Sequence, residues 1–142
     1  MSPGTYLRLR RDSAELTLDD LALMTETAPV AVCARRRAEW LGDVEQDRTP
    51  ITADIVDTLR GAFNFDPAVL HLLVAIHAGA DLVVPQLCRV CACSWLDPCD
   101  GDSLGSCSWV SGDPTLCTAC WTRAAAATPD APTAAEEPRA AA

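Results

Sequence analysis

The cysteines of this chain are the residues whose type and spacing point most directly to chemistry. The 142-residue sequence contains eight of them, and seven lie between residues 88 and 120. Such a cluster is either a disulfide framework or a metal site, and the redox compartment decides between the two. Because the N-terminal sequence lacks the basic segment and apolar run of a secretory signal, we expect a cytoplasmic protein with reduced thiols. Reduced and clustered cysteines are available to bind a metal ion.

Two Cys-x-x-Cys pairs carry the most specific metal signal. Cys88 and Cys91 form the first pair, and Cys117 and Cys120 form the second. One tight turn lets two thiolates reach the same tetrahedral ion, and two such turns complete a four-cysteine site. We therefore predict that these four cysteines hold a structural zinc ion. Buried or redox-active thiols are the alternative interpretation.

The remaining clustered cysteines, Cys93, Cys99 and Cys107, indicate a second metal site. Three thiolates leave a tetrahedral ion one ligand short. The fourth ligand is expected to be water or one residue of a nearby set: Cys88, Cys91, Asp97, Asp100 or Asp102. An iron-sulfur cluster, which also takes four cysteines, is the alternative, although the cysteine spacing does not match the ferredoxin patterns.

Three other potential ligands are assigned structural roles. His71 and His77 lie on a predicted helix with no cysteine nearby in sequence, so a solvent-facing or core position is expected for both. Cys33 lies in a helical segment and is predicted to be a small buried apolar residue.

The elements that must position these residues divide into a helical part and a cysteine-rich part. Apolar residues recur at helical spacing from Tyr6 to Ala78, with capping residues and prolines where helices should start. Five helices and no strands are predicted there: residues 3–13, a helix capped by Thr17, one or two helices over 29–46, a helix capped by Thr52, and a helix from Pro67 that ends at Gly79.

Two stretches of the helical part resemble a known family. The first consists of LRR at 9–11 and LDDLA at 18–22, and the second is WLGDVEQDRTP at 40–50, which runs on into residues 55–65. The first stretch is similar to the first helix and the start of the second helix of lambda-repressor-like (Xre-type) helix-turn-helix domains. The second stretch is similar to the end of the recognition helix, the Glu-x-Gly-x-Arg-x-Pro-like turn and the next helix of the same domains. The resemblance covers roughly residues 6–74 and implies a fold that binds double-stranded DNA.

Arginines supply all the fixed positive charge of the chain. The sequence has no lysine and a net charge of −9, which excludes nonspecific coating of polyanions and restricts any DNA contact to one face. A recognition helix lies in the major groove, where arginines bind guanine edges and phosphates. The predicted DNA-binding residues are Arg35, Arg36, Arg37 and Arg48. A solvated or salt-bridged face, with a partner such as Glu39, is the alternative interpretation.

These observations predict a mainly α protein with four parts. They are a five-helix helix-turn-helix domain (1–80), a linker (81–87), an irregular cysteine-rich zinc-knuckle module (88–121) and a disordered tail rich in Ala, Pro and Glu (122–142). The two folded modules are expected to be separable.

The predicted function is that of a transcriptional regulator that binds specific sequences in double-stranded DNA. No phosphate-binding loop, zinc-protease motif or serine-hydrolase elbow occurs, so we expect no enzymatic activity. No apolar run is long enough for a membrane span. The zinc module could also join two chains in a homodimer. The alternative function is an adaptor that keeps the fold without DNA contacts and binds a basic protein partner through its acidic surface.

Overall fold

The computed structural model of the protein describes residues 1–25, 33–101 and 105–127. It is mainly helical and contains a small cysteine-rich region with short strands. The helices are α1 (Pro3–Ser13), α2 (Leu18–Met24), α3 (Ala34–Glu45), α4 (Ala53–Arg60), α5 (Pro67–His77) and α6 (Thr118–Ala126). Within the described residues, no helix is both long and apolar enough to cross a membrane.

Local capping chemistry sets the start of several helices. The Ser2 hydroxyl accepts a hydrogen bond from the Thr5 amide at 3.2 Å and starts α1. Thr17 and Asp20 form a reciprocal capping box at α2, as their spacing predicts. The Asp66 carboxylate accepts from the first amides of α5. Thr52 occupies the N-cap position of α4 but makes no side-chain cap hydrogen bond.

The start of α3 differs from the sequence prediction. The helix begins at Ala34, with Cys33 as its N-cap, and residues 29–32 of the predicted helix lie outside the described residues. The Cys33 side chain is exposed, so the prediction of a buried position for it is wrong. The reason is its place at the N-cap, where the side chain leaves the helix before the buried stripe of α3 begins.

The core is formed by side chains from α1 to α5. Its largest fully buried apolar members are Tyr6, Leu7, Leu21, Leu41, Val44, Leu70 and Leu73. The Tyr6 hydroxyl accepts a hydrogen bond from the Asp66 amide at 3.0 Å and so ties α1 to the start of α5. Burial raises the pKa of Tyr6 to about 12, so the hydroxyl stays protonated at neutral pH.

A buried ion pair and a close backbone approach join α1 to the end of α3. The Arg11 guanidinium donates two hydrogen bonds to the Glu45 carboxylate, at 2.6 and 2.8 Å, and both side chains are buried. At Gly4, an added Cβ would lie 2.5 Å from the Val44 carbonyl oxygen, so only glycine permits this spacing. The Gly4 amide also donates to the carboxylate of Asp47 at 2.7 Å.

The cysteine-rich region contains more regular structure than the predicted irregular module. Strands β1 (Asp100–Gly101) and β2 (Gly105–Ser106) pair antiparallel, as do β3 (Trp109–Val110) and β4 (Asp113–Cys117). Helix α6 follows directly and reaches Ala126, five residues into the segment predicted as a disordered tail. Residues 128–142 of that segment lie outside the described residues.

The cysteine-rich region packs against the helical part. Ala92 is buried within the core of the helical bundle. The Arg10 guanidinium lies 2.8 Å from the Asp97 carboxylate and also donates to the Asn64 carbonyl oxygen at 3.2 Å. The Ser13 hydroxyl is 3.5 Å from the carbonyl oxygen of Cys91. The loop that carries the first cysteine pair is therefore anchored on α1.

Candidate metal centre

Three of the clustered cysteines lie in one tight loop, which runs from Cys88 to Cys93. The Ala92 amide donates to the Cys88 carbonyl oxygen at 2.9 Å, and the Cys88 amide donates to the Cys93 carbonyl oxygen at 3.0 Å. Ala92 adopts a left-handed conformation with a φ of 56°, which turns the chain sharply after Cys91. The loop holds all three sulfurs on one side, and all three residues are buried.

A hairpin brings the next two cysteines together. Cys99 directly precedes β1 and Cys107 directly follows β2, so the pairing of Asp100 with Ser106 places them side by side. The Cys107 amide donates to the Cys99 carbonyl oxygen at 3.3 Å. Both residues are partly buried and face the same cluster.

The last two cysteines lie at the junction of β4 and α6. Cys117 ends β4 and is the N-cap of α6, and Cys120 lies in the first turn of that helix. The Thr118 amide donates to the Ser108 carbonyl oxygen at 2.7 Å and fixes this junction to the preceding strand pair. Both residues therefore lie at the positive end of α6.

The seven sulfurs form one connected cluster. Two sets of four sulfurs each lie within 4.8 Å of one another: Cys88, Cys91, Cys93 and Cys117, and Cys93, Cys99, Cys107 and Cys117. Cys120 is buried in the same cluster. The closest sulfur pairs, at 3.6 to 3.7 Å, are too far apart for a disulfide, whose length is about 2.05 Å. The clustered cysteines could hold a metal ion.

The thiols perturb one another strongly. Burial raises the pKa of Cys88 and Cys120, because a thiolate is poorly solvated there. A hydrogen bond from the Cys93 thiol lowers the pKa of Cys91 to about 4, and the same bond raises the pKa of Cys93. The pKa of Cys117 is also lowered, because its burial, which raises the pKa, is outweighed by hydrogen bonds such as that from the Cys120 amide. The cluster thus favours thiolates at Cys91 and Cys117, and a bound cation would be needed to hold the others deprotonated.

The structure gathers all seven cysteines of both predicted metal sites in one cluster, but the first set of converging sulfurs contains Cys93 where the sequence-based prediction had Cys120. For Cys93, Cys99 and Cys107, the additional thiol that completes a set of four is Cys117, whereas the sequence-based candidates were Cys88 and Cys91. The hairpin accounts for this difference, because it carries Cys99 to within 3.7 Å of the Cys117 sulfur.

The other predicted candidate ligands lie elsewhere or are engaged. The Asp97 carboxylate pairs with Arg10. His71 and His77 are both exposed on α5. The side chains of Asp100 and Asp102 lie outside the described part of the chain. Among the described residues, the metal-ligand candidates that converge are therefore all cysteines.

The four predicted DNA-binding arginines do not form a single free patch. Arg35 and Arg36 lie exposed in the first turn of α3, and Arg35 forms an ion pair with Glu39 at 3.2 Å. Arg37 is partly buried and donates to the carbonyl oxygen of Ala22 in α2. Arg48 lies beyond the helix end, where its Nε is 3.0 Å from the Asp43 carboxylate.

The three tryptophans of the cysteine-rich region do not form a core together. Trp95 is 73 % exposed and Trp121 is 54 % exposed, whereas Trp109 is partly buried and packs against the cysteines. The cysteine cluster itself therefore forms the interior of this region.

Comparisons with protein-family models, with curated proteins and with solved structures found no match in any of the three. The resemblance of residues 9–22 and 40–65 to helix-turn-helix domains accordingly stays a prediction. What this chain can do has to be argued from the side chains described above.

Proposed function

We propose that the protein is a DNA-binding transcriptional regulator whose helical part is braced by a structural zinc module. The observation that carries the DNA proposal is the position of two arginines. Arg35 and Arg36 are exposed in the first turn of α3, whereas Ala38 and Leu41 of the same helix are buried. In helix-turn-helix proteins, residues near the start of the recognition helix contact base edges. This arrangement supports α3 as the element that enters the major groove.

The internal contacts of the helical part support the same proposal. The two stretches that resemble helix-turn-helix domains are joined by the buried pair of Arg11 and Glu45. Arg37 binds the backbone of α2, so it fixes the angle between α2 and α3 and leaves base contact to its neighbours. Arg36 makes no ion pair with any residue that the structure describes, and its charge is available to a ligand.

Zinc is the metal that the geometry of the thiols favours. A zinc–sulfur bond of about 2.3 Å gives a tetrahedron whose sulfurs are about 3.8 Å apart. The closest sulfur pairs lie 3.6 to 3.7 Å apart, close to that edge length. In a four-iron cluster each cysteine binds a different iron, which requires wider spacing of the sulfurs. The zinc ion would be structural, since cysteines supply all of its ligands.

The experiment that tests DNA binding starts by selecting duplexes from a random pool with the zinc-loaded protein. Titration of the selected duplex then compares the wild type with Arg36→Ala. We expect this substitution to cost about 1–3 kcal/mol of binding free energy on the selected sequence, as for a direct base contact. Failure to retain any duplex at low salt would overturn the proposal.

A matched control separates base contact from net charge. Arg60→Ala removes the same charge from an exposed position at the end of α4, away from the first turn of α3. We expect this variant to bind the selected duplex like the wild type. Equal losses of binding free energy for the two variants would indicate a general electrostatic effect. They would contradict recognition of the base sequence by α3.

An adaptor that binds a basic protein partner is the second candidate function. The observation that favours it is the engagement of Arg37 and Arg48 by groups of the same chain, in a protein whose net charge is −9. The two candidates differ in the selection experiment, because an adaptor enriches no duplex sequence.

A further inference from the structure

We propose that the seven clustered cysteines bind two zinc ions and that the Cys117 thiolate bridges them. This inference rests on the proposed zinc module and extends it from one ion to a binuclear centre. The first ion would be held by Cys88, Cys91, Cys117 and Cys120, and the second by Cys93, Cys99, Cys107 and Cys117.

The number of ligands is the first argument. Two tetrahedral ions need eight ligand positions, and seven sulfurs supply eight when one of them is shared. The structure gathers seven cysteines in one buried cluster, and neither the histidines nor the described carboxylates reach it. One bridging thiolate therefore completes both ions without water or aspartate.

The sulfur positions indicate which cysteine is shared. Only Cys93 and Cys117 belong to both sets of four converging sulfurs. The Cys117 sulfur lies 3.7 Å from Cys91, a ligand of the first ion, and 3.7 Å from Cys99, a ligand of the second. Both distances are close to the edge of a zinc–thiolate tetrahedron, about 3.8 Å. Cys117 is thus placed as a corner common to two tetrahedra.

Cys93 also contacts ligands of both ions, since its thiol is hydrogen-bonded to Cys91, and the ligand count is what makes it a terminal ligand. Its sulfur lies 3.6 Å from Cys107, which belongs to the second ion. If Cys93 were the bridge, Cys117 and Cys120 would have to bind different ions. If both bound the first ion instead, the second ion would lack one ligand. Their shared turn at the start of α6 favours binding to the same ion.

The charge of the centre also suits its position. Binding of two divalent ions by seven thiolates releases to solvent the protons of those thiols that are still protonated and leaves an excess of three negative charges. The positive end of α6 lies at the bridge itself, since Cys117 is the N-cap of that helix. A bridging sulfur shares its charge between two cations, which reduces the repulsion among seven neighbouring thiolates.

The test uses the full-length protein with cadmium-113, a spectroscopic substitute for zinc that binds thiolates with the same geometry. Native mass spectrometry first counts the ions after loading with zinc alone, and we expect two per chain. Cadmium NMR should then show two resonances that couple to each other, since such coupling passes through a shared sulfur. In a proton–cadmium correlation spectrum, the β-protons of Cys117 should correlate with both ions and those of every other ligand with one.

Variants provide an independent measurement. Cys117→Ser should lose one of the two ions and abolish the coupling between cadmium resonances. Cys33→Ser is the matched control, because Cys33 is exposed at the start of α3, and it should keep both ions and the coupling.

The possible outcomes separate this inference from the zinc proposal. One zinc ion per chain, or two without coupling, would overturn the bridge and leave the zinc module intact. Double correlation of Cys93 would overturn the assignment of Cys117. A chain that binds no zinc, or one purified with iron and visible absorbance, would overturn both.

Discussion

Arg11 shows at the scale of one residue how this lysine-free chain uses its positive charges. Its guanidinium donates to both carboxylate oxygens of Glu45 and to the Leu16 carbonyl oxygen, and the hydrogen bond to Glu45 raises its pKa further above the usual value. A planar fork with five donors can satisfy three acceptors at once, which a lysine cannot do in this geometry. The pair joins α1 to α3, so the need to keep both buried charges hydrogen-bonded determines how those helices pack.

We expect Glu45→Ala to lower the free energy of unfolding by about 3 kcal/mol, because it removes the buried partner of Arg11 and leaves only the half-exposed Asp12 carboxylate beside that charge. Chemical denaturation followed by circular dichroism would measure the loss. Glu39→Ala is the control, since its pair with Arg35 is exposed and should contribute less than about 1 kcal/mol. Equal stabilities of the two variants would contradict a structural role for the buried pair.

The clustering of the cysteines could be predicted from their spacing, but not the approach of Cys99 to Cys117. A Cys-x-x-Cys spacing describes one turn, so it indicates that Cys117 and Cys120 can bind together. It contains no information on Cys99, which approaches Cys117 only through the β1–β2 pairing. Two-residue strands have no alternating pattern that would predict such a hairpin.

At the scale of elements, a helix start could be predicted from sequence where the capping residues lie within one turn of it. The Thr17 and Asp20 pair and the Asp66-Pro67 step act within one turn, and both mark the observed helix starts. The start of α3 carries no side-chain cap hydrogen bond, and Cys33 gives no capping signal in sequence. Its position depends on packing between α2 and α3, which periodicity alone does not locate.

Two helical glycines allow the close packing of α1 on α3 to be tested. In Gly4→Ala the new Cβ would lie within 2.6 Å of two backbone oxygens of α3, so α1 must move away. We expect a loss of about 2–3 kcal/mol in the free energy of unfolding, as for overpacking of a core. Urea denaturation would measure it.

Gly42→Ala is the control on α3, at a position that contacts α2 and not α1. Its Cβ would meet the Leu18 side chain at 3.5 Å, an ordinary van der Waals contact. Because alanine favours the helix, this variant should gain about 0.5–1 kcal/mol. A similar change in both variants would show that helix propensity, rather than the approach of α1 to α3, determines the result.

At the scale of the whole molecule, direct contacts join the two modules that the sequence predicts to be separable. Arg10 and Asp97 form a mostly buried ion pair, and Ala92 lies in the core of the helical bundle. Contacts between residues so distant in sequence leave no periodic signal. The composition of the chain therefore indicates a boundary near residue 80 but does not reveal the contacts that cross that boundary. The contacts imply that a metal ion held by the cysteines would stabilise helices that supply none of its ligands.

We therefore expect removal of zinc by a chelator to lower the thermal midpoint of the helical part. Without the metal, the loop from Cys88 to Cys93 loses the geometry that holds Ala92 in the core and Asp97 near Arg10. Circular dichroism at 222 nm would record the transition in the loaded and stripped full-length protein. An unchanged helical midpoint would contradict the coupling and support independent modules.

Asp97→Ala tests whether this coupling passes through the ion pair with Arg10. With zinc bound, the variant should lose about 3 kcal/mol of stability, because Arg10 stays buried without its carboxylate. The chelator should then shift its helical midpoint less than it shifts that of the wild type, since part of the contact is already absent. Asp113→Ala, which removes an exposed partner of Arg89 within the same region, should respond to the chelator like the wild type. If both variants kept the full wild-type response, the metal centre would have to act on the helices through Ala92 and the Ser13 contact alone.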